Sequence, residues 1–211
     1  LTENDTWLDG DGGVLAAPAQ GDSIVLADFT AIITQADGGS ATITIGAVTG
    51  LSANTASTLD INFQDDGAST DTITIASVTM VADSDTAGSI DIDNAEASGT
   101  AAVSGTLTFT GDVDTGIFST TRGIIDIDVA NSSVAGIIQT VNFGGNVSAT
   151  TTLNQNAELI VLNVNGTGDQ TWTGLINSNG GAGEGTLNIT KASGTATFAA
   201  SIGGSEALLL I

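Results

Sequence analysis

Five aspartates recur in one local pattern. They lie in Leu59-Asp60-Ile61-Asn62, Ile90-Asp91-Ile92-Asp93 and Ile125-Asp126-Ile127-Asp128. In each segment aliphatic residues alternate with oxygen-bearing ones, the period-2 signature of a strand with one buried face. Stacked in register, Asp60, Asp91 and Asp126 form one outward column, which Asn163 and Asn188 are expected to continue. Asn62, Asp93, Asp128 and Asn165 form a second. Carboxylates about 5 Å apart repel by about 1 kcal/mol in water and by more beside a low-dielectric surface. Salt screens that repulsion, and calcium suits oxygen ligands of this kind. Two readings stay open: calcium held by Asp60, Asp91, Asp93, Asp126 and Asp128, or a solvated acidic face in a saline medium.

Little else in the chain could do chemistry. There is no His and no Cys, so Ser-His-Asp and Cys-His nucleophiles are excluded. No phosphate-binding glycine loop, dinucleotide fingerprint or zinc signature occurs. Carboxylate pairs that could serve a glycosidase are plentiful. However, Arg122 and Lys191 are the only basic residues available to hold an acidic sugar. We therefore expect no enzyme and no catalytic residue. Asp9-Gly10-Asp11-Gly12 is similar to the start of a calcium loop but lacks the later bidentate Glu of an EF-hand. Turn chemistry accounts for Asp83-Ser84-Asp85 and Asp112-Val113-Asp114. Asn-x-Ser/Thr sequons stand at Asn4, Asn131, Asn146, Asn165 and Asn188.

The elements that must position the aspartates show in an internal repeat. Thr42-Ile43-Thr44-Ile45-Gly46-Ala47-Val48-Thr49 returns as Thr72-Ile73-Thr74-Ile75-Ala76-Ser77-Val78-Thr79, with six of eight residues identical. Looser copies begin at Thr106, Thr140, Thr171 and Thr195. Their aligned apolar anchors are Ile45, Ile75, Phe109, Phe143, Trp172 and Phe198, recurring about every 30 residues. The Asp-bearing strands fall between these copies, and Leu162-Asn163-Val164-Asn165 and Leu187-Asn188-Ile189-Thr190 are read as further members. One such unit cannot bury its apolar face alone, whereas stacked units make a continuous core. The expected fold is therefore all-β, a parallel β-helix (β-solenoid) of about six coils. The alternative is an antiparallel β-sandwich or jelly roll. Residues 1–22 read as an N-terminal cap or lead-in, and 23–211 as the solenoid. It is expected to be open at its C-terminal edge, where Leu208, Leu209, Leu210 and Ile211 form an apolar strand suited to assembly.

Composition narrows the partners. Of 211 residues, 24 are acidic and 2 basic, a net charge of -22, yet 41% are hydrophobic. That apolar content separates the chain from a disordered acidic tail. So much negative charge disfavours nucleic acid and anionic membranes. No apolar run reaches the length of a membrane span. The polar opening Leu1-Thr2-Glu3-Asn4-Asp5 reads as that of a mature or trimmed chain. The expected partners are other copies of the same chain.

Gly185-Thr186-Leu187-Asn188-Ile189-Thr190, then Gly194-Thr195-Ala196-Thr197-Phe198 with Ile202-Gly203-Gly204, resembles the repeats of large bacterial surface proteins. These are the β-solenoid passenger regions of autotransporters, haemagglutinin-like adhesins and some surface-layer proteins. The resemblance spans about residues 40–211 and carries no catalytic motif. It implies a secreted, cell-surface structural protein that assembles into a layer, filament or stalk. The paired threonines Thr42/Thr44, Thr72/Thr74, Thr106/Thr108 and Thr195/Thr197 should face outward. They are similar to the flat faces of ice-binding β-solenoids, although Asn142 and Asp169 interrupt the series. Thr is also an ordinary exposed strand residue.

Overall fold

A computed structural model describes residues 7–8, 14–15, 20–26, 30–35, 42–50, 57–63, 69–81, 87–94, 103–129, 138–155, 159–179, 185–203 and 208–210. In chain order β1 (Trp7–Leu8) and β2 (Val14–Leu15) come first, then β3 (Ile24–Leu26) and β4 (Thr30–Gln35). Next are β5 (Thr42–Gly50), β6 (Thr58–Phe63), β7 (Ser69–Met80) and β8 (Ser89–Asn94). The middle holds β9 (Val103–Phe109), β10 (Val113–Asp114), β11 (Ile117–Phe118), β12 (Thr121–Arg122) and β13 (Ile124–Val129). Then come β14 (Ile138–Phe143), β15 (Val147–Ser148), β16 (Thr150–Gln155), β17 (Leu159–Val164), β18 (Gln170–Trp172) and β19 (Ile176–Ser178). The last are β20 (Thr186–Ile189), β21 (Ala196–Phe198) and β22 (Leu209–Leu210). No helix occurs among the described residues.

Alternating aliphatic and hydroxyl or carboxyl side chains make these segments strands, and the same alternation sorts them into ladders. The first ladder runs from the first half of β5 through the first half of β7 to β9, β14, β17, β20 and β22. The second runs from β3 through the later halves of β5 and β7 to β10, β15, β18 and β21. The third is β4, β6, β8, β13, β16 and β19. Every pair in the three ladders is parallel. The chain visits the first, second and third in the same cyclic order, so the architecture is all-β and β-helix-like. Only β1–β2 and the β11–β12 hairpin pair antiparallel among the described strands. That pairing overturns the antiparallel sandwich or jelly roll, which needs antiparallel neighbours throughout.

Register follows the repeat. Thr42 to Ile45 face Thr72 to Ile75, and Ala47 to Thr49 face Ser77 to Thr79. Ile43, Ile73, Leu107, Val141, Leu162 and Leu187 then stack as one inward column. Leu59, Ile90 and Ile125 begin the facing column, and Ile61, Ile92, Ile127 and Leu153 another. Nearly all of these inward side chains are fully buried. Fully burying such a side chain contributes about 1.5–3 kcal/mol.

The aromatic anchors need one correction. Phe109 and Phe143 continue the column of Ile45 and Ile75, but its next members are Val164 and Ile189. Trp172 and Phe198 stand in the second ladder, above Val48, Val78, Val113 and Val147. Their rings still join one stack across the core. Phe109–Phe143 centroids are 5.4 Å apart, Phe143–Trp172 4.8 Å edge-on, and Trp172–Phe198 6.3 Å. Such contacts are each worth about 0.5–1.5 kcal/mol beyond area burial. Where ladders meet, the backbone comes close: a Cβ on Gly174 would collide with the Ala149 carbonyl.

Candidate functional site

The third ladder positions the aspartates. Strands β6 and β8 have the same burial alternation, with Leu59, Ile61, Ile90 and Ile92 inward and Asp60, Asn62, Asp91 and Asp93 half-buried on the outer face. Strand β13 repeats it with Ile125 and Ile127 inward, Asp126 and Asp128 outward. Pairing sets Asp60 beside Asp91 and Asp91 beside Asp126, with Asn62, Asp93 and Asp128 forming the parallel row. Neighbouring parallel strands lie about 4.8 Å apart, so all five predicted carboxylates come together in one patch.

Among the described residues no positive charge offsets this patch. Arg122 donates to Ser148 Oγ at 2.7 Å. Lys191 Nζ donates to the Gly166 carbonyl at 2.9 Å and to Gln170 Oε1 at 2.6 Å. Two amides compensate in part. Asn62 Nδ2 donates to Asp60 Oδ1 at 2.7 Å, and Asn154 Nδ2 to Asp126 Oδ1 at 2.7 Å.

Partial burial raises the Asp93 carboxyl from 3.8 to about 6, helped by the charges of Asp91, Asp60, Asp128 and Asp126. Burial and Asp91 raise Asp60, with Asn62 opposing. Burial, Asp128 and Asp91 raise Asp126, against hydrogen bonds from the Ile127 backbone and Asn154. Burial and Asp91 raise Asp128. The arrangement can share protons or attract cations. Among the described residues, no group of three or more acidic side chains has a metal-holding arrangement.

Beyond β13 the columns run differently from expectation. Asp126 is followed by Thr152 and Asn177, and Asp128 by Asn154. Asn163 and Asn188 belong to the first ladder, where they follow Thr108 and Asn142. Asn165 lies in the turn after β17. The physical reason is that alternation states which side chains point inward, not which ladder a strand joins. Strand β16 is the next member, and it lacks the aliphatic alternation of the others because Thr151 fills its first inward position.

Thr195 and Thr197 likewise leave the threonine series. Thr197 faces Thr171 in the second ladder. Thr42, Thr72, Thr106 and Thr140 do align, as do Thr44, Thr74 and Thr108. Asp114 serves a turn, its Oδ1 accepting from Gly116 N at 2.9 Å, whereas Asp112 Oδ1 accepts from Asn146 N at 2.7 Å and joins neighbouring coils. Asp9, Asp11, Asp83 and Asp85 lie outside the described residues.

Two polar features went unread in the sequence. On the first ladder Asn142 Nδ2 donates to Thr108 Oγ1 at 3.0 Å, Asn163 Nδ2 to Asn142 Oδ1 at 2.8 Å, and Asn188 Nδ2 to Asn163 Oδ1 at 3.0 Å. The signal was an Asn at one fixed place among aliphatics: Val141-Asn142-Phe143, Leu162-Asn163-Val164, Leu187-Asn188-Ile189. At a corner, buried Gln170 donates to the Phe143 and Gly145 carbonyls at 2.9 and 2.8 Å and accepts from Gly166 N at 2.7 Å.

The predicted assembly edge is placed in part. Leu209 and Leu210 pair in parallel with Thr186 and Leu187. Leu208, with Ala196, Phe198 and Ile202, is a partly buried neighbour of the core. Ile211 lies outside the described residues. In the strand order β21 and β22 stand at the two limits of the larger sheet. At the other end, Gln20 Oε1 accepts from Thr44 N at 2.5 Å, and Gly21 N donates to the Thr44 carbonyl at 2.7 Å. These groups occupy that edge of β5.

No protein-family model, curated protein or solved structure matches this chain.

Proposed function

We propose that the chain is a structural, non-enzymatic extracellular protein: a parallel β-helix of about six coils that self-assembles into a bacterial surface layer, filament or adhesin stalk. One observation carries this reading. The core runs along the ladders to β21 and β22, where Phe198, Ile202 and Leu208 are only partly covered. Unpaired strand edges beside apolar side chains are templates for another chain. The β5 edge, by contrast, is occupied by Gln20 and Gly21. The lack of His and Cys agrees with a role that needs no catalytic base or thiol. Deleting residues 206–211 and imaging the product tests the proposal. Lost or shortened assemblies are expected, with the circular dichroism of the remaining strands retained. Polymers identical to those of the full chain would overturn it.

A second reading, a calcium-dependent adhesin or binding module, is favoured by the five in-register carboxylates. In that reading calcium relieves the repulsion within the third ladder, and its removal weakens the fold.

A further inference from the structure

We propose that Asn165 is the glycan acceptor among the sequons of the described strands and turns, taking an asparagine-linked sugar on its side-chain amide. The inference rests on the extracellular reading above, and deepens it by naming a modification that such a protein would carry.

Three sequons fall on described residues, and their surroundings differ. Asn146 is tied on both sides: Nδ2 donates to Asp112 Oδ1 at 3.1 Å, and Oδ1 accepts from Thr171 N at 2.9 Å. The hydroxyl its sequon needs, that of Ser148, accepts from Arg122 at 2.7 Å. Asn188 sits within strand β20, its Nδ2 donating to Asn163 and its Oδ1 buried. A transferase must pull either nitrogen away from a bond that joins neighbouring coils before it can reach it.

Asn165 is exposed in the turn between β17 and β18, and its carboxamide makes no hydrogen bond among the described residues. Only its backbone is held, N–H to the Phe143 carbonyl at 3.2 Å. Thr167, the sequon hydroxyl, and Gly168 and Asp169 after it are exposed too. A Cβ built on Gly168 meets nothing within 4 Å, although the turn of residues 191–195 lies against the backbone: Ser193 Oγ donates to the Thr167 carbonyl and Thr195 N to Asp169 Oδ1 at 2.8 Å. Gly166, between them, is buried with its N–H on Gln170 Oε1 at 2.7 Å. The turn backbone is thus anchored, while the residues Asn165 and Thr167 that carry the sequon stay exposed.

The donor would be a polyprenyl-pyrophosphate-linked glycan. Asn165 Nδ2 forms a bond to the sugar C1 as the C1–O bond to pyrophosphate breaks. The lipid pyrophosphate leaves with the electron pair, and the amide loses one proton to a base of the transferase.

The test incubates the purified, folded full chain with an oligosaccharyltransferase and its lipid-linked donor, and maps occupied sites by mass spectrometry. A proteolytic digest of the same chain serves as the unfolded comparison. In the folded chain Asn165 is expected to be occupied, with Asn146 and Asn188 at least about tenfold lower because the bonds that hold their amides must open first. In the digest the three should react alike. Asn165→Gln should abolish the folded-state modification while leaving circular dichroism unchanged. An unmodified Asn165 in the folded chain, or Asn146 or Asn188 modified as readily, overturns the proposal. Because the reaction uses purified protein, its failure bears on the site alone; labelling of intact cells with a membrane-impermeant reagent bears separately on the extracellular reading.

Discussion

Asp91 and Asn163 occupy equivalent places on their strands. Each lies between two buried aliphatic side chains, Ile90 and Ile92 for the one, Leu162 and Val164 for the other. Each faces residues of its own kind on both sides: Asp60 and Asp126 around Asp91, Asn142 and Asn188 around Asn163. The outcome is opposite. An amide carries a donor and an acceptor, so a column of amides bonds to itself, and it does so at 2.8 and 3.0 Å here. A carboxylate only accepts, so a column of carboxylates repels, and burial together with that repulsion raises Asp60 and Asp126 on either side of Asp91 toward the protonated form. Parallel in-register stacking multiplies whatever side chain it repeats. It makes one outer face a stabilising rail and another a store of unfavourable charge.

The largest expected effect comes from carrying one chemistry into the other column. Asn163→Asp keeps an acceptor for Asn188 Nδ2 but removes the donor to Asn142 Oδ1. A loss of about 1–3 kcal/mol is expected at pH 7, the range for leaving a partly buried group unpaired. Urea unfolding measures it through the midpoint at constant slope. Protonating the new carboxyl restores a donor, so the deficit should shrink at acidic pH. A midpoint equal to that of the wild type would show that the amide rail contributes nothing.

The reverse exchange, Asp93→Asn, should stabilise. The folded protein holds the Asp93 proton up to about pH 6, against 3.8 for the ordinary carboxyl. The folded state therefore binds more protons than the unfolded state between those values, and stability falls as pH rises through that window. Below it both states are protonated and the penalty is absent; above it the penalty is complete. Asp60, Asp126 and Asp128 are raised as well and act in the same direction. Solvent screening of this outer face limits the Asp93 share to about 1 kcal/mol, or about 2–4 °C in a chain of this size. Melting curves at pH 4 and pH 7 should thus bring wild type and Asp93→Asn together at the lower pH and separate them at the higher. If calcium occupies the patch, a chelator should lower the wild-type melting temperature at pH 7 more than that of Asp93→Asn. A chelator without effect removes the calcium reading.

How far these columns could be read in advance differs along the chain. Between Thr42 and Val129 the repeat is close enough that sequence alignment and strand register coincide: Thr42 with Thr72, Asp60 with Asp91, Asp91 with Asp126. The inward residues were legible there because burial demands period two and the aliphatics obey it. Past β13 the connections shorten, and strands of the first and third ladders share one pattern. Leu162-Asn163-Val164 is as good a continuation of Ile125-Asp126-Ile127 as Thr151-Thr152-Leu153 is. What separates them is closure of the chain around the core, a long-range condition that no local spacing carries. Trp172 was misplaced for the same reason, since its ring reaches Phe143 from the second ladder. Gln170 has no local signal because three of its partners are the backbone groups of Gly166, Phe143 and Gly145, and its side-chain partner Lys191 lies far along the chain.

The smallest effect tests where the amide rail begins. Thr44, Thr74 and Thr108 share one column, but only Thr108 accepts from a rung above it, Asn142 at 3.0 Å. Thr74→Ala removes a hydroxyl on an outward face and should change stability by no more than about 0.5 kcal/mol. Thr108→Ala leaves Asn142 Nδ2 without its acceptor and should lose about 1 kcal/mol. Equal values would place the stabilisation in strand packing rather than in side-chain bonds between rungs. The same pair of variants bears on the ice-binding alternative, which depends on the shape of the threonine face and not on the bond to Asn142. If the face binds ice, the wild type shows thermal hysteresis and a bulky residue at Thr74 removes it with little change in stability. Activity and stability would then separate at Thr74 and fall together at Thr108, because Thr108 is both the last threonine of its column and the first acceptor of the rail.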